Sequence, residues 1–524
     1  MSEKGDAEHG VNGPVKGFDA EYERSQQLAQ LPDPDIGKTD EERKAIDKKL
    51  MWKVDLWIVP WLSLLYLLSF LDRTNIGNAR LAHMEEHLGM EGTDYNNTLT
   101  IFFVSYALVE PITNALLKRL TPRIFFTGII IIWGLIMTFM GLVTSYGGLL
   151  AARFFLGVAE AGLFPGELTK ASQPPFANRL AYLINIGVNY YLSCWYKSSE
   201  IGVRSAVFFS AAALAGSFGG LLAAAIALMD GVGGRPGWAW IFIIEGIATT
   251  LVGCVCWWMV FDWPDTATFL TPEERIRVQR RLILDRQGYS AQDNDKRHMY
   301  EAVKDWKTYG YMVIYMGCLT PLYAFSLFLP TIINAMGYVG TKAQLLSVPP
   351  YACAAVCTVA VGFIADSTRM RGYYNIGTVL IGMVGFIMLL ATADPQVQYA
   401  GTFLGAVGIY PTISNTLSWV ANNTEGALKR AVVLGMVVGW GNLNGVVSSN
   451  IYITHEKPRY WSGHGAVLAY QTLFLLGGSV FMHFALRAEN AKRRSGKRDH
   501  MHDGLTEEEK WIKGDRRPDF IYTL

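Results

Sequence analysis

The chain has 524 residues, 51% of them hydrophobic and 17% charged, with a formal net charge of +1. Of its 91 charges, 56 fall in three stretches, 1–50, 262–307 and 487–524, which leaves 390 residues that are only 9% charged. Soluble domains carry about 25% charged residues, so this composition excludes an ordinary soluble enzyme and requires a bilayer as solvent, and the balanced charge argues against nucleic-acid binding.

In chain order, residues 1–51 form a polar N-terminal tail that reads as disordered, with no apolar run of a cleaved signal peptide. Six apolar windows follow, 52–72, 97–117, 124–145, 147–166, 204–229 and 238–261, within an N-terminal half spanning 52–261. The segment 262–307 is a basic linker, read as solvated polypeptide. Six more windows, 308–333, 345–366, 374–393, 397–421, 431–453 and 465–486, make a C-terminal half spanning 308–486. The tail 487–524 again reads as solvated. Each window has the roughly 20 residues that a spanning helix needs. The predicted fold class is therefore an all-α membrane protein with twelve transmembrane helices in two pseudo-symmetric six-helix halves.

Loop lysines and arginines set the orientation. With the N-terminus inside, short inner loops carry nine and outer loops six, and the linker and C-terminal tail add nine and ten inside. Both termini are thus expected in the cytoplasm. Cys254, Cys256, Cys353 and Cys357 lie in apolar segments without metal or disulfide spacing, so neither metal nor cofactor is expected. Short matches suggest duplication. Asn114-ALLKR aligns with Gly362-FIADS, and the FFLG ending at Gly157 aligns with the TFLG ending at Gly405, both at an offset of 248. Arg204-SAV aligns with Arg430-AVV at 226, which places an extra 22 or so residues between Gly157 and Arg204 in the first half. Two joined halves of this kind suggest a transporter with its site at the midplane between them.

The segments LSFLDRTNIGNARL (68–81), ARFFLGVAEAGLFPG (152–166), NYYLSCWYKSSEIGVR (189–204) and GWGNLNGVVSSNIY (439–452) resemble the major facilitator superfamily. Within it they resemble the fungal allantoate and high-affinity nicotinate permeases of the anion:cation symporter family. The resemblance covers residues 50–490 and implies a proton-coupled carrier of small organic anions, working by alternating access at the plasma membrane as a monomer. Efflux of a secondary metabolite and non-transporting nutrient sensing are the alternatives. No nucleophile constellation or phosphate loop suggests an enzyme.

Charges inside spans are costly and point to function. Asp72 and Arg73 end span 1, and Arg153 and Glu160 stand seven apart, on one face of span 4. Arginine can hold a carboxylate bidentately at any pH, so Arg73 and Arg153 are the expected anion ligands. Glu160, with Asp72, is expected to carry the coupled proton. The resemblance implies the same four residues, because related carriers have an Asp-Arg pair ending span 1 and an Arg and Glu seven apart in span 4. Some add an arginine in span 7, where this chain has no charge between Thr308 and Thr341; Tyr315, Tyr323 and Asn334 are the polar groups there. Structural readings stand beside these: an interfacial ion pair for Asp72–Arg73, a helix brace for Arg153, a structural hydrogen bond for Glu160.

Asn415, Asn442 and Asn444 in spans 10 and 11 are candidate substrate ligands or helix–helix hydrogen bonds. Glu110 and Glu245 read as structural, a kink or gate before Pro111 and a bridge between helices. Tyr66 and Tyr106 read as aromatic packing. The glycines of spans 5 and 11, among them Gly216, Gly219, Gly220, Gly439 and Gly441, are expected to allow close helix approach. The positions of the superfamily's G-x-x-x-D-R loop signature are taken by Asn114, Lys118, Arg119 and Arg123 in the first half. Gly362 and Asp366 keep the Gly and Asp in the second, where Arg369 follows, and both loops are expected to gate. Residues 167–187 interrupt the family pattern, in which LFPG runs directly into VNYYLSCWY. Their 21 residues match the excess inferred from the repeat and are read as a retained intron or a genuine loop insertion.

Overall fold

The structure, a computed structural model, describes residues 31–117, 121–162, 191–192, 195–197, 200–285, 296–502 and 514–524. Segment 167–187 lies outside them. The described residues form α1 Asp40–Leu81, α2 Asp94–Leu117, α3 Pro122–Met140, α4 Tyr146–Glu160, α5 Ile201–Ile226 and α6 Gly237–Met259 in the first half. The second half holds α7 Trp306–Ala335, α8 Thr341–Thr368, α9 Arg371–Ala391, α10 Pro395–Asn422, α11 Ala427–Leu443 and α12 Trp461–Arg494. Each of the twelve expected windows overlaps one of these helices, and 431–453 runs ten residues past the end of α11. Nine helices among the described residues are long and apolar enough to cross a membrane. Trp258, Phe139, Leu473 and Phe481 are exposed, as lipid-facing side chains must be.

Three expectations change. First, α1 begins at Asp40 rather than 52, so residues 40–51 are not disordered tail. Thr39 and Glu42 form a capping box, the Thr39 hydroxyl accepting from the Glu42 amide and the Glu42 carboxylate from the Thr39 amide. Second, the linker is ordered in part, with helices Pro272–Asp285 and Lys296–Lys304. Ion pairs fasten the first of them to the N-terminal half: Arg281 to Asp47 at 2.9 Å and Glu200 at 2.6 Å, Arg277 to Asp35 at 3.0 Å, Lys53 to Glu274 at 2.7 Å. Third, the C-terminal tail is not solvated throughout. Residues 514–524 lie back across the end of the C-terminal half as a strap.

Asp515 of the strap is buried between Lys307 and Lys429, 2.6 Å from the latter. Asp305 completes this four-charge cluster, 2.9 Å from Lys429. Arg493 of α12 donates to the carbonyls of Asp515, Arg517 and Phe520, and the Trp419 indole and Asn423 amide of α10 donate to that of Thr523. The amide of Gly372, opening α9, donates to the Leu524 carbonyl. The strap thus ties α7, α9, α10, α11 and α12 together.

The halves meet along α5–α8, α2–α11 and α1–α7. At the end away from the linker the contacts include neutral hydrogen bonds. Asn96 donates to the Ser449 carbonyl at 2.7 Å, Gln344 to the Asn78 carbonyl at 3.4 Å, and Ser217 to the Val348 carbonyl at 3.1 Å. Buried Asn96 heads an Asn-Asn-Thr glycosylation sequon, and its amide is already committed across the halves. Close approach needs glycine at Gly220, where a Cβ would stand 2.7 Å from the Gln344 carbonyl oxygen, but not at Gly439, which faces open space.

Candidate functional site

Asp72 and Arg73 do not end the first helix. They lie inside the continuous α1, nine and eight residues before its last residue, and both are buried. Neighbouring helix positions diverge by 100°, so the two side chains serve different partners. Arg73, 4% exposed, turns to α4 and α7: its Nη2 lies 2.5 Å from Glu160 Oε1, and its Nη1 donates to the Tyr323 hydroxyl at 3.0 Å. Ser69, one turn earlier, also donates to Glu160 Oε1, at 2.5 Å. Tyr323 donates onward to Asn442 Oδ1 at 2.9 Å, and Asn442 hydrogen-bonds Glu110. One network therefore joins α1, α2 and α4 of the first half to α7 and α11 of the second.

The rings of Phe70, Phe102, Tyr106 and Tyr323 stand 5.3–6.0 Å from the Arg73 guanidinium carbon, within cation–π range. Three polar atoms at this centre have no partner: Glu160 Oε2, Arg73 Nε and the Tyr106 hydroxyl. A spare acceptor and a spare donor, dry and side by side on an ion pair, are what a proton and an anion would use.

Arg153 shares the buried face of α4 with Glu160, as its spacing predicts, but makes no ion pair among the described residues; its Nε and Nη2 are buried without partners there. Asp72 accepts from the Thr249 hydroxyl of α6 at 3.1 Å. Asn415 lies elsewhere, donating to the Arg371 carbonyl at 2.7 Å and Asn375 at 2.8 Å near the linker end. Asn444 donates to Trp440 of its own helix, at the break where α11 gives way to the short helix Gly445–Ser448. Tyr315 packs against Gly441 and Tyr66 stacks on Phe208, 4.5 Å between centroids. Asn334 lies one residue before the end of α7.

A profile of the Major Facilitator Superfamily matches residues 62–172 and 180–482. The chain belongs to the Major Facilitator Superfamily. It is 37% identical over 465 residues to the MFS-type transporter cnsO of Penicillium expansum, covering 86% of this chain and 85% of that one. It is 30% identical over 455 residues to the high-affinity nicotinic acid transporter of Saccharomyces cerevisiae, covering 86% and 80%. A bacterial homolog of the human lysosomal transporter Spinster, in an inward-facing unoccupied conformation, superposes with a TM-score of 0.57 at 16% identity, over 81% of this chain and 95% of that one. That likeness carries the two-half, twelve-helix fold. The chain is a multi-pass membrane transporter of this superfamily.

In this facilitator the expected gating positions divide. Lys118 and Arg119 lie outside the described residues, as does the side chain of Asn114. Arg123 binds the linker, its amide donating to Asp262 at 2.9 Å. In the second half Asp366 pairs at 2.6 Å not with Arg369 but with Arg371. Arg369 has φ +54°, at the corner between α8 and α9, and is exposed. Asp366 and Arg371, both of the second half, lie against Gly202 at the start of α5, where a Cβ would stand 2.6 Å from the Asp366 carboxylate, so this pair seats on the first half. An anion at a helix N-terminus is favoured by the helix dipole. Arg371→Ala is expected to loosen it by about 2 kcal/mol. The readout is faster thiol labelling of a cysteine placed at Ala206, now buried against Gly362.

Sequence reasoning missed Ser69, Phe102 and Arg371. Ser69 carried a usable signal: it stands one helical turn before Arg73, on the same face.

Proposed function

We propose that this transporter is a proton-coupled importer of a small organic anion at a fungal plasma membrane, with both termini cytoplasmic. The supporting observation is the Arg73–Glu160 pair, buried where both halves contribute partners and carrying a spare oxygen and a spare N–H. A proton on Glu160 cancels its charge and frees the guanidinium for a substrate carboxylate. Tyr323 and Asn442 supply neutral hydrogen bonds from the other half, and Arg153 and Asp72 complete the charge balance around α4 and α1. Rocking of the halves then exposes the site alternately to each side. The similarity to a nicotinic acid transporter favours an aromatic or nitrogen-rich monocarboxylate. The carrier acts as a monomer with protons and the anion as its partners.

Uptake of labelled nicotinate, with allantoate, pantothenate and biotin as competitors, tests this in permease-deficient yeast expressing the chain. The expected result is accumulation of one such acid that an uncoupler collapses. Accumulation of none, or accumulation indifferent to the uncoupler, overturns the reading.

A further inference from the structure

A pair of buried carboxylates lies between α1 and α6. Asp72 and Glu245 of α6 face one another, and each keeps one oxygen without a partner, Asp72 Oδ1 and Glu245 Oε1. Their remaining oxygens meet only neutral groups, Thr249 for Asp72 and the Asn75 amide for Glu245. Around Asp72 stand Trp133 of α3 and, from α4, Arg153 and Glu160; Glu245 faces Asp72 and, among the described residues, no cation. Arg73 is engaged by Glu160. Arg153 is the cation beside Asp72, so two adjacent negative charges in so dry a place share one counter-ion, and the uncancelled charge is prohibitive. A proton cancels it at no cost in space.

The surroundings also supply a direction. Asp72, Asn75 and Asn78 recur every three residues along one face of α1. Asn78 donates to Asn75 at 3.0 Å, and the Asn78 carbonyl accepts from Gln344, near the start of α8 at the end away from the linker. Gly219 of α5 stands opposite, where a Cβ would come 3.0 Å from Asn75 Oδ1. The polar face thus runs from the buried carboxylates towards the end opposite both tails.

We propose that Glu245, with Asp72 as its partner, binds a second transported proton that enters along the Asn75–Asn78–Gln344 face. The transporter then moves two protons with each anion. This rests on the proton-coupled reading above and adds a site to it.

Two measurements test it on the purified full chain. Infrared pH titration reads the carbonyl stretch of protonated carboxyl groups and needs no substrate. Glu245→Gln is expected to remove one titrating band and Glu160→Gln a different one. In proteoliposomes with the membrane potential clamped to zero, each coupled proton multiplies anion accumulation about tenfold per pH unit. The wild type is expected to reach about 100-fold and Glu245→Gln about 10-fold, with exchange at equal pH preserved. Glu245→Asp is expected to restore the higher ratio and guards against a folding defect. A Glu245→Gln protein with the wild-type band and ratio overturns the proposal while leaving Glu160 coupling intact. Accumulation driven by a sodium gradient at uniform pH also overturns it. A wild type that accumulates nothing under a pH gradient removes the proton-coupled reading itself.

Discussion

Glu160→Gln is expected to abolish gradient-driven accumulation and to leave exchange of labelled for unlabelled anion running. Glutamine keeps the shape of the side chain and can still accept from Ser69, but it resembles permanently protonated glutamate. Arg73 is then free for the anion at every pH, and the site binds and exchanges without reporting the proton gradient. Uptake in vesicles, with and without an imposed gradient, distinguishes the two activities; wild-type pH dependence in Glu160→Gln sinks the assignment. Arg73→Ala is expected to do more damage. It removes the anion ligand and leaves Glu160 buried without its cation, at a cost of about 3–5 kcal/mol. Four aromatic rings also lose their shared cation. Uptake should vanish and the melting temperature should fall, and the double variant Arg73→Ala/Glu160→Gln should recover part of the stability but none of the transport.

The second large effect is expected far from that site. Asp515→Ala leaves Lys307 and Lys429 with Asp305 alone, one uncancelled positive charge in a buried cluster, and should destabilise by about 3–5 kcal/mol. Deleting residues 514–524 should cost more, because Arg493 also loses three carbonyls and the Tyr522 hydroxyl. Melting in detergent and yield from the membrane measure both. The cluster also has a pH signature. Burial pushes the Asp305 carboxyl up, but Lys307 and Lys429 outweigh it and hold the group below its ordinary 3.8. A carboxylate lowered in this way stabilises the fold at pH values above its unfolded value, and that contribution is lost as pH falls through the lowered one. Stability should therefore hold from neutral pH to about 5 and drop below about 4. Unchanged melting of the deletion variant would show that the strap contributes nothing to the fold.

The spans were legible because a bilayer imposes a length and an apolarity that composition alone reveals. The shared face of Arg153 and Glu160 was legible from helical periodicity. Their partners were not. Nothing local distinguishes Arg73, which finds a carboxylate on α4, from Arg153, which finds none; that choice is made by how helices distant in sequence cross. The ends of the chain were misread for a related reason. Asp515 and the charged first turns of α1 look like solvated polypeptide because sequence reports charge but not the opposite charge that tertiary structure brings to it. Arg369 was read as a gating residue, but the turn between α8 and α9 leaves it exposed and gives the ion pair with Asp366 to Arg371. Asn415 had the right residue type at the wrong depth, next to the latch rather than the site.

The two ends of the bundle are closed by different chemistry. Away from the linker the halves are joined by amide and hydroxyl groups on main-chain carbonyls. At the linker end stand the Asp366–Arg371 latch, the ion pairs of the linker helix and the strap cluster. Dissolved salt screens the exposed members of the second group and leaves the first nearly untouched. Ionic strength on the linker side therefore acts first on how each half is held together, because the linker ion pairs bind the first half and the strap cluster binds the second.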